Sequence, residues 1–150
     1  MSLVTSILGL FPSFIPGPRL IDGGELQQQA NLLFSAQTGI VAAAGGGQAN
    51  ATPLTSALNR VDTIATNSDS VMLPPAVPGQ QVTVKNNTAN TLAIFGQVSN
   101  ALNANSVGDT IATSQSNTQQ PTATGITLAT TLTARFICFT AGQWQEFLTA

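Results

Sequence analysis

The sequence contains no histidine, no tyrosine and a single cysteine, and only 7% of its 150 residues are charged. A typical soluble domain carries about 25% charged residues. Without histidine, the chain lacks the commonest general base and the commonest metal ligand. Its 4 Lys and Arg residues are too few to neutralise a run of phosphates, so nucleic-acid binding by counterion release is not expected. We therefore predict a protein that is not an enzyme, needs no cofactor and binds no nucleic acid.

The single cysteine, Cys138, excludes an intrachain disulfide and a multi-cysteine zinc site. Its neighbours are apolar, so we expect a small buried hydrophobic side chain rather than a reactive thiol, and no metal site. The apolar stretch of residues 1–15 follows no Lys or Arg and is interrupted by Pro12. It therefore fits neither a secretory signal nor a membrane span of about 20 residues, and no membrane partner is expected.

Residues 1–47 form the first of two predicted segments, and this segment begins with an apolar arm. Two prolines around a glycine, at Pro16–Pro18, prevent a helix or a central strand there and favour an extended chain. An arm this apolar is expected to lie on its own domain, on a neighbouring copy or on a larger assembly. Its predicted contact residues are Leu3, Val4, Ile7, Leu8, Leu10, Phe11, Phe14 and Ile15.

A short α-helix is predicted to follow the arm. Asp22 is a plausible N-cap, and Glu25 three residues later has the spacing of a capping box. Leu26, Ala30, Leu33 and Phe34 recur at helical spacing, and Gly39 is expected to end the helix. The glycine-rich residues 41–47 are then predicted to form a connector, because they lack the Lys and Ser/Thr of a phosphate-binding loop.

Residues 48–150 are predicted to form a β-domain. Short β-branched or alternating segments are separated by turn residues at 8–12-residue spacing, which favours an antiparallel β-sandwich or a jelly-roll-like fold. The last two of these segments lie on either side of Thr140–Gln143, an arrangement that is typical of a hairpin. The predicted strands are Val61–Thr66, Val71–Leu73, Gln81–Lys85, Thr91–Phe95, Ile126–Leu128, Thr133–Phe139 and Trp144–Leu148.

A polar insertion loop is predicted near residues 103–121. This stretch is nearly all Ser, Thr, Asn, Gln and Ala, with Val107 and Ile111 as its only large apolar residues. It therefore buries little apolar area. We expect most of it to be exposed, with room for one short strand at Thr110–Thr113.

Candidate catalytic groups are sparse. Asp62 and Asp69 are candidates for a glycosidase-like carboxylate pair, but Asp69 lies in the turn-forming string Asn67–Ser70, which favours a structural role. No Gly-x-Ser-x-Gly motif is present, and no histidine is available to activate a serine. Trp144 and Phe147 have the chemistry to stack on a sugar or base, although core or interface packing is the commoner use of such residues.

Several segments carry a family resemblance: LQQQANLL (26–33), AGGGQANATPL (44–54), NRVDTIAT (59–66), DSVMLP (69–74), PGQQVTV (78–84) and AGQWQEFLTA (141–150). They resemble small structural proteins encoded by tailed bacteriophages and prophages. The resemblance covers about residues 26–95 and the last fifteen or so residues. It carries no catalytic residues.

The resemblance implies a virion protein made in the host cytoplasm, most specifically a capsid cement or decoration protein on the capsid surface. Such proteins are often β-sandwich or jelly-roll trimers that clamp neighbouring subunits of the major capsid protein. A homotrimer and a contact with the major capsid protein are therefore expected. A head fibre or a tail-associated receptor-binding domain, whose polar loop contacts host glycans, is the alternative.

Overall fold

Apolar and polar residues alternate along the longest strands, and this period of two decides which side chains enter the core. In the strand Gln81–Asn86, the side chains of Val82 and Val84 are buried, and Thr83 between them is only partly buried. In the strand Thr133–Thr140, Phe136 is fully buried by the same rule. Both strands were predicted from their sequence pattern, and both are confirmed.

The computed structural model describes residues 35–100, 108–116, 118–121 and 123–149. Within this part of the chain the protein is mainly β, with one short 3-10 turn at Gln48–Asn50. The strands are β1 (Ala36–Val41), β2 (Thr52–Pro53), β3 (Leu58–Thr63), β4 (Asp69–Met72), β5 (Gln81–Asn86), β6 (Leu92–Phe95), β7 (Thr110–Ala112), β8 (Gln119–Gln120), β9 (Ile126–Leu128), β10 (Thr133–Thr140) and β11 (Gln143–Thr149).

The strands form two sheets. One has seven strands in the order β1-β3-β5-β10-β11-β7-β8, and the other has four in the order β2-β4-β6-β9. Buried side chains of both sheets belong to one hydrophobic cluster, which includes Val84 and Phe136 from the larger sheet and Val71 and Leu92 from the smaller. The two sheets therefore share a core.

From β1 to β6 the chain alternates between the two sheets, and we call residues 36–95 the alternating region. Each strand lies parallel to the strand two positions earlier in the chain, as Leu58 in β3 lies beside Thr83 in β5. Of the nine strand pairs among the described residues, five are parallel. The expected all-antiparallel arrangement is therefore wrong. Parallel neighbours need a long crossover connection, which here runs through the other sheet and leaves no local sequence signal.

The strand β1 replaces the predicted end of the α-helix. Residues 36–41 pair in parallel with β3, and Ala43 forms a bridge with Ser70, so these residues belong to the β-domain although they precede the boundary predicted at residue 47. β-branched residues and Gly39, at φ +72°, suit a bulged strand better than a helix. Pairing with β3 outweighs the weak helical spacing. The rest of the predicted helix lies outside the described residues.

The C-terminal region, residues 108–149, ends in the predicted hairpin, which is confirmed. β10 and β11 are antiparallel, with Cys138 beside Trp144, and Gly142 adopts φ +76° in the connecting turn. β10 also lies antiparallel to β5, and β9 lies antiparallel to β6. The C-terminal region thus extends both sheets of the alternating region.

Within the polar segment predicted near residues 103–121, the described residues 108–116 and 118–121 form more regular structure than the sequence predicts. The short strand expected there is confirmed as β7, but Ile111 and Ala112 are buried, and a second short strand, β8, was not predicted. β7 lies parallel to β11 and antiparallel to β8. Pairing with the hairpin strand β11 stabilises the short strand β7, although the residues of β7 bury little apolar area of their own. Residues 101–107 lie outside the described part of the chain.

Candidate functional site

The seven-stranded sheet has an outer face, turned away from the hydrophobic cluster, on which exposed apolar and cationic side chains alternate with small polar ones. One row crosses four neighbouring strands: Leu58, Thr83, Arg135 and Phe147 lie side by side in register. Leu58 and Phe147 are 49% and 40% exposed. Side chains this exposed and this apolar on one sheet face are a feature of contact surfaces.

All three cations in the described part of the chain lie on this outer face, but only two have a partner there. Arg60 donates from Nε to Asp62 Oδ1 at 2.8 Å. Lys85 donates from Nζ to the carbonyl oxygen of Thr131. Arg135 has neither a salt bridge nor a hydrogen bond to any described side chain. It is therefore available to an outside group.

Three of the four described carboxylates are buried inside the protein. Asp109 is fully buried and accepts hydrogen bonds from the backbone nitrogen of Ala76 and from Asn100 Nδ2, both at 2.8 Å. Glu146 is 5% exposed and accepts from the backbone nitrogen of Ser114. These acids satisfy buried backbone donors. Since three described carboxylates are buried and only Asp62 lies among the three cations, the described part of the outer face carries a net positive charge.

Asp69 is the third buried carboxylate, and it lies at the start of β4, next to the turn that precedes this strand. Thr66 donates from its hydroxyl to Oδ1 at 2.7 Å, and the backbone nitrogens of Ala65 and Thr66 donate to Oδ2. These bonds, led by the Thr66 hydroxyl, hold the pKa of Asp69 below its ordinary value. Ala65 and Thr66 precede Asp69 by four and three residues, and the backbone of Gly45 also lowers its pKa, so the carboxylate of Asp69 binds surrounding backbone and has the structural role that its sequence favours.

Asp62, the other half of the predicted carboxylate pair, supports the edge of the sheet. It accepts hydrogen bonds from the backbone nitrogen of Gly39 in β1, from Asn87 Nδ2 and from Arg60. These donors, led by Gly39, lower the pKa of the Asp62 carboxyl. Two carboxylates that both favour the charged form offer no general acid, so the pair lacks the division of roles that glycoside hydrolysis requires.

A groove of about 630 Å³ opens on the outer face where β1, β3 and β5 begin. Among the described residues of its lining, Arg135 is the only charged one, and most of the others are small polar or aliphatic residues. Its walls are formed by Ser35, Thr55, Ser56, Ala57, Leu58, Pro74, Gly79, Gln80, Gln81, Val82, Thr83 and Arg135. This volume falls within the range of ligand-binding clefts.

Two buried acceptor atoms, one in a residue that lines the groove and one in the buried Asn59, have no donor among the described residues. Oε1 of Gln80, a lining residue, is one of them. Oδ1 of Asn59, which is 3% exposed, is the other. Asn59 Nδ2 donates to the carbonyl oxygens of Ser56 and Thr83, which both line the groove. Buried polar atoms are normally satisfied, but Trp144 Nε1 in β11 also has no partner among the described residues, so such atoms are not confined to the groove.

The hairpin adds further exposed apolar side chains beside the groove. Phe139 in β10 is 68% exposed, and Phe147 in β11 is 40% exposed. Cys138 and Trp144, on the opposite face of the same strands, are 1% and 0% exposed. The prediction that Cys138 is a buried hydrophobic residue is confirmed, and burial raises the pKa of its thiol. Trp144 is a core residue and does not stack on a ligand.

The arm residues predicted to contact a partner lie outside the described part of the chain: Leu3, Val4, Ile7, Leu8, Leu10, Phe11, Phe14 and Ile15. The groove residues Gln80 and Leu58 were not predicted, and Arg135 was noted only as a neighbour of Cys138. A strand pattern marks Leu58 and Arg135 as outward-facing, but their proximity depends on the parallel register of β3 and β5.

Comparison of the chain with protein-family models, with curated proteins and with solved structures finds no match. Among the described residues, no group of three or more His, Cys, Asp or Glu side chains is placed to hold a metal ion. A search of the same residues finds no helix with the length and hydropathy of a membrane span. The fold and the site together define a mainly β protein with two mixed sheets and a cationic, apolar outer face.

Proposed function

We propose that this chain is a non-enzymatic structural protein of a tailed-bacteriophage virion, and specifically a capsid cement protein that clamps neighbouring subunits of the major capsid protein. The observation that carries the proposal is the outer face of the seven-stranded sheet. Exposed Leu58, Phe139 and Phe147 lie there with the described cations, while three described carboxylates are buried. A sheet face of this kind suits attachment to another protein better than catalysis.

The finer architecture belongs to the same proposal. The two sheets form a β-sandwich around their shared hydrophobic cluster, and residues 1–20 act as an arm that anchors the protein on an adjacent subunit. Eight large apolar side chains in fifteen residues support the arm, because burying each one contributes roughly 1.5–3 kcal/mol.

The protein acts as a homotrimer on the capsid surface. The edge strand β1 contains no charged residue, and its side chains are mostly exposed. The chain has few charged residues that would prevent its sheet edges from pairing with another chain. We therefore expect contacts with sister copies to cover these edges. Light scattering on purified protein is expected to give three times the chain mass. A clean monomer at micromolar concentration that still binds particles contradicts the trimer.

Particle occupancy tests the docking function. Deletion of residues 2–18 is expected to leave a folded β-domain that fails to decorate virions, and normal occupancy by the truncated protein contradicts the arm. On the sheet, the double substitution Phe139→Ser and Phe147→Ser is expected to lower occupancy. Val98→Ser is the matched control, since Val98 is 57% exposed but lies outside the seven-stranded sheet. Equal occupancy of the two variants contradicts docking through the outer face.

The copy number per virion separates the cement function from its alternative. A cement protein is present in hundreds of copies over the shell, whereas a head fibre or a tail-associated receptor-binding domain is present in a few tens or fewer. A reconstruction of the virion locates the protein directly. Zymography on cell-wall substrate is expected to show no clearing, and clearing by the pure protein contradicts a non-enzymatic role.

A further inference from the structure

Three cations adjoin on the outer face of the seven-stranded sheet. Arg60 and Lys85 lie side by side in register on β3 and β5, and Arg135 on β10 lies diagonally next to Lys85. We call these three residues the cation cluster. We propose that the cation cluster binds an acidic patch, with at least two carboxylates, on the surface of a partner protein. This inference rests on the proposed docking function, because it names the chemistry of the partner surface.

The register of the strands brings like charges together. Neighbouring strands lie about 4.8 Å apart, and Arg60 is the direct partner of Lys85. Lys85 is paired in turn with Thr133, and Arg135 follows Thr133 by two residues, so it belongs to the same sheet face. Like charges in direct cross-strand pairs are destabilising. The isolated protein therefore carries a repulsion among these cations that an anionic partner relieves.

The surrounding acceptors leave the cation cluster with charge to offer. Asp62 forms a salt bridge with Arg60 and is the only described carboxylate beside the cluster, since the other three are buried. Three cations beside one carboxylate leave a net charge of +2, which two carboxylates of a partner balance. Lys85 uses one of its three ammonium donors on the carbonyl oxygen of Thr131. The exposed side chain of Arg135 makes no hydrogen bond or salt bridge to a described residue.

The neighbouring side chains favour a protein over other anionic partners. Leu58 and Phe147, in the same row as Arg135, are 49% and 40% exposed. Aromatic side chains and arginine together are typical of protein–protein contacts. Nucleic acid requires cations along a run of phosphates, and anionic membranes attract clusters of about 4–8 Lys and Arg residues. A cluster of three cations bordered by apolar side chains therefore suits a protein surface better than either.

The described part of a second copy does not present an acidic patch. Three of its four carboxylates are buried, and the fourth, Asp62, lies beside the cation cluster itself. Two outer faces placed against each other therefore bring like charges together. The remaining acids of the chain, Asp22 and Glu25, lie outside the described residues. Charge complementarity thus favours a different protein as the occupant.

Titration of the full-length protein with a model acidic peptide, followed by NMR, tests the proposal. The probe is an octapeptide of alternating glutamate and alanine, and the matched probe has glutamine in place of glutamate. We expect the acidic probe to cause saturable amide shifts in β3, β5 and β10, and the glutamine probe to cause none. Equal shifts with both probes, or no shifts in these strands with the acidic probe, overturn the proposal.

Variants of the protein locate the contact. Lys85→Gln and Arg135→Gln are each expected to weaken binding of the acidic probe about threefold, and the double variant about tenfold. Arg19→Gln is the matched control, because it removes the fourth cation of the chain and leaves the cation cluster intact. We expect it to leave the affinity unchanged. A loss in Arg19→Gln equal to that in Arg135→Gln indicates a general effect of net charge and overturns the cluster as the site.

Thermal melts of the same variants separate binding from a structural role. Arg135 makes no side-chain bond to a described residue, so Arg135→Gln is expected to keep the melting temperature of the wild type. Lys85→Gln loses the bond to Thr131 but also removes the repulsion with Arg60, so we expect no large change there either. A lower melting temperature with unchanged probe affinity in both variants indicates that the cations only support the fold, and it overturns the proposal.

Competitors test the other occupants. A peptide of residues 18–28, which contains Asp22 and Glu25, represents the acidic segment of a second copy. If it binds the cation cluster more tightly than the acidic probe, the occupant is this chain and the partner protein is overturned. Phosphatidylserine vesicles and a short DNA duplex are expected not to displace the acidic probe at physiological salt. Tighter binding of either one overturns a protein as the occupant.

The outcomes for the cation cluster and for the docking function are distinguishable. Binding of the acidic probe that depends on Lys85 and Arg135, with no protein found on virions, keeps the cluster and rejects the cement function. Normal decoration of virions by the Lys85→Gln, Arg135→Gln double variant, together with no binding of the acidic probe to the wild type, rejects the cluster and keeps the cement function.

Discussion

The alternating region and the C-terminal region are both built from short strands, but they hold their strands together in different ways. In residues 36–95, neighbouring strands are parallel and come from successive passages through the two sheets. In the C-terminal region, the β10–β11 hairpin is closed by a tight turn at Ala141 and Gly142. Parallel pairs therefore depend on long connections, whereas the hairpin is determined locally.

The two regions also differ in what they bury. The hairpin contributes the two largest fully buried side chains, Trp144 and Phe136. The alternating region buries aliphatic residues together with polar residues at the ends of strands next to turns, among them Asn86 and Asp69, which are both fully buried. We infer that the hairpin supplies most of the aromatic packing, while hydrogen-bonded turns fix the crossovers between sheets. The predictions below test this division.

The largest effect is expected from the aromatic core. Phe136→Ala is predicted to lower the free energy of unfolding by about 3–5 kcal/mol, because it removes a fully buried ring and leaves a cavity. Phe139→Ala, in the same strand, is the matched control, since Phe139 is 68% exposed and its loss is expected to cost about 0.5 kcal/mol or less. Urea unfolding measures both. Similar losses in the two variants contradict the burial pattern of β10.

A smaller but still substantial effect is expected at Asn86, which joins the two regions. Its Nδ2 donates to the carbonyl oxygens of Asn90 and Ala129, and its Oδ1 accepts from the backbone nitrogen of Thr88. Asn86→Ala leaves these groups without their partner, and we expect a loss of about 2–3 kcal/mol in the free energy of unfolding.

The neighbouring residue provides the control for Asn86. Asn87 is exposed and donates to Asp62 Oδ1 at 2.8 Å. Asn87→Ala is therefore expected to cost about 0.5 kcal/mol, measured by the same urea titration. A loss at Asn87 equal to that at Asn86 indicates that exposed contacts at the sheet edge stabilise the alternating region as much as its buried turns do.

The difference between the regions also explains which features the sequence predicts. The hairpin is recognisable because its strands and turn are contiguous, and β5 is recognisable from its alternation of valines with polar residues. The direction of β3 beside β5 was not predictable, because the 17 residues between Thr63 and Gln81 visit the other sheet before returning. Edge strands such as β8 are defined by pairing and not by their own apolar content.

The candidate site shows the same limit. Arg135 and Leu58 are each recognisable as outward-facing residues of a strand, but their common groove exists only because β5 lies between β3 and β10. The unsatisfied acceptor of Gln80 is likewise invisible in the sequence, since burial of a glutamine oxygen depends on what surrounds it. Local patterns locate side chains on a face, whereas assembly of the sheet brings them together.

The smallest effect concerns pH, and it arises from the turns of the alternating region. The chain has no histidine, and burial raises the pKa of Cys138, so we predict a nearly constant melting temperature from about pH 5.5 to 8. Asp62 and Asp69 have pKa values below their ordinary value in the folded protein. Their stabilising contribution is therefore complete above the unfolded pKa, about 3.9, and is lost as the pH falls further.

Asp69→Asn isolates the larger part of this acid dependence. The variant keeps the turn's shape but has no carboxylate to protonate, so its melting temperature is expected to fall less than that of the wild type between pH 5 and pH 3. Asp62→Asn is expected to reduce the acid dependence by a smaller amount, since the Asp62 side chain is 21% exposed and its hydrogen bonds are screened by solvent. Thermal melts at half-unit pH steps give the comparison. An unchanged acid dependence in Asp69→Asn places the controlling carboxylate outside these turns. A shift above about 5 °C between pH 5.5 and 8, which corresponds to roughly 1–2 kcal/mol, does the same.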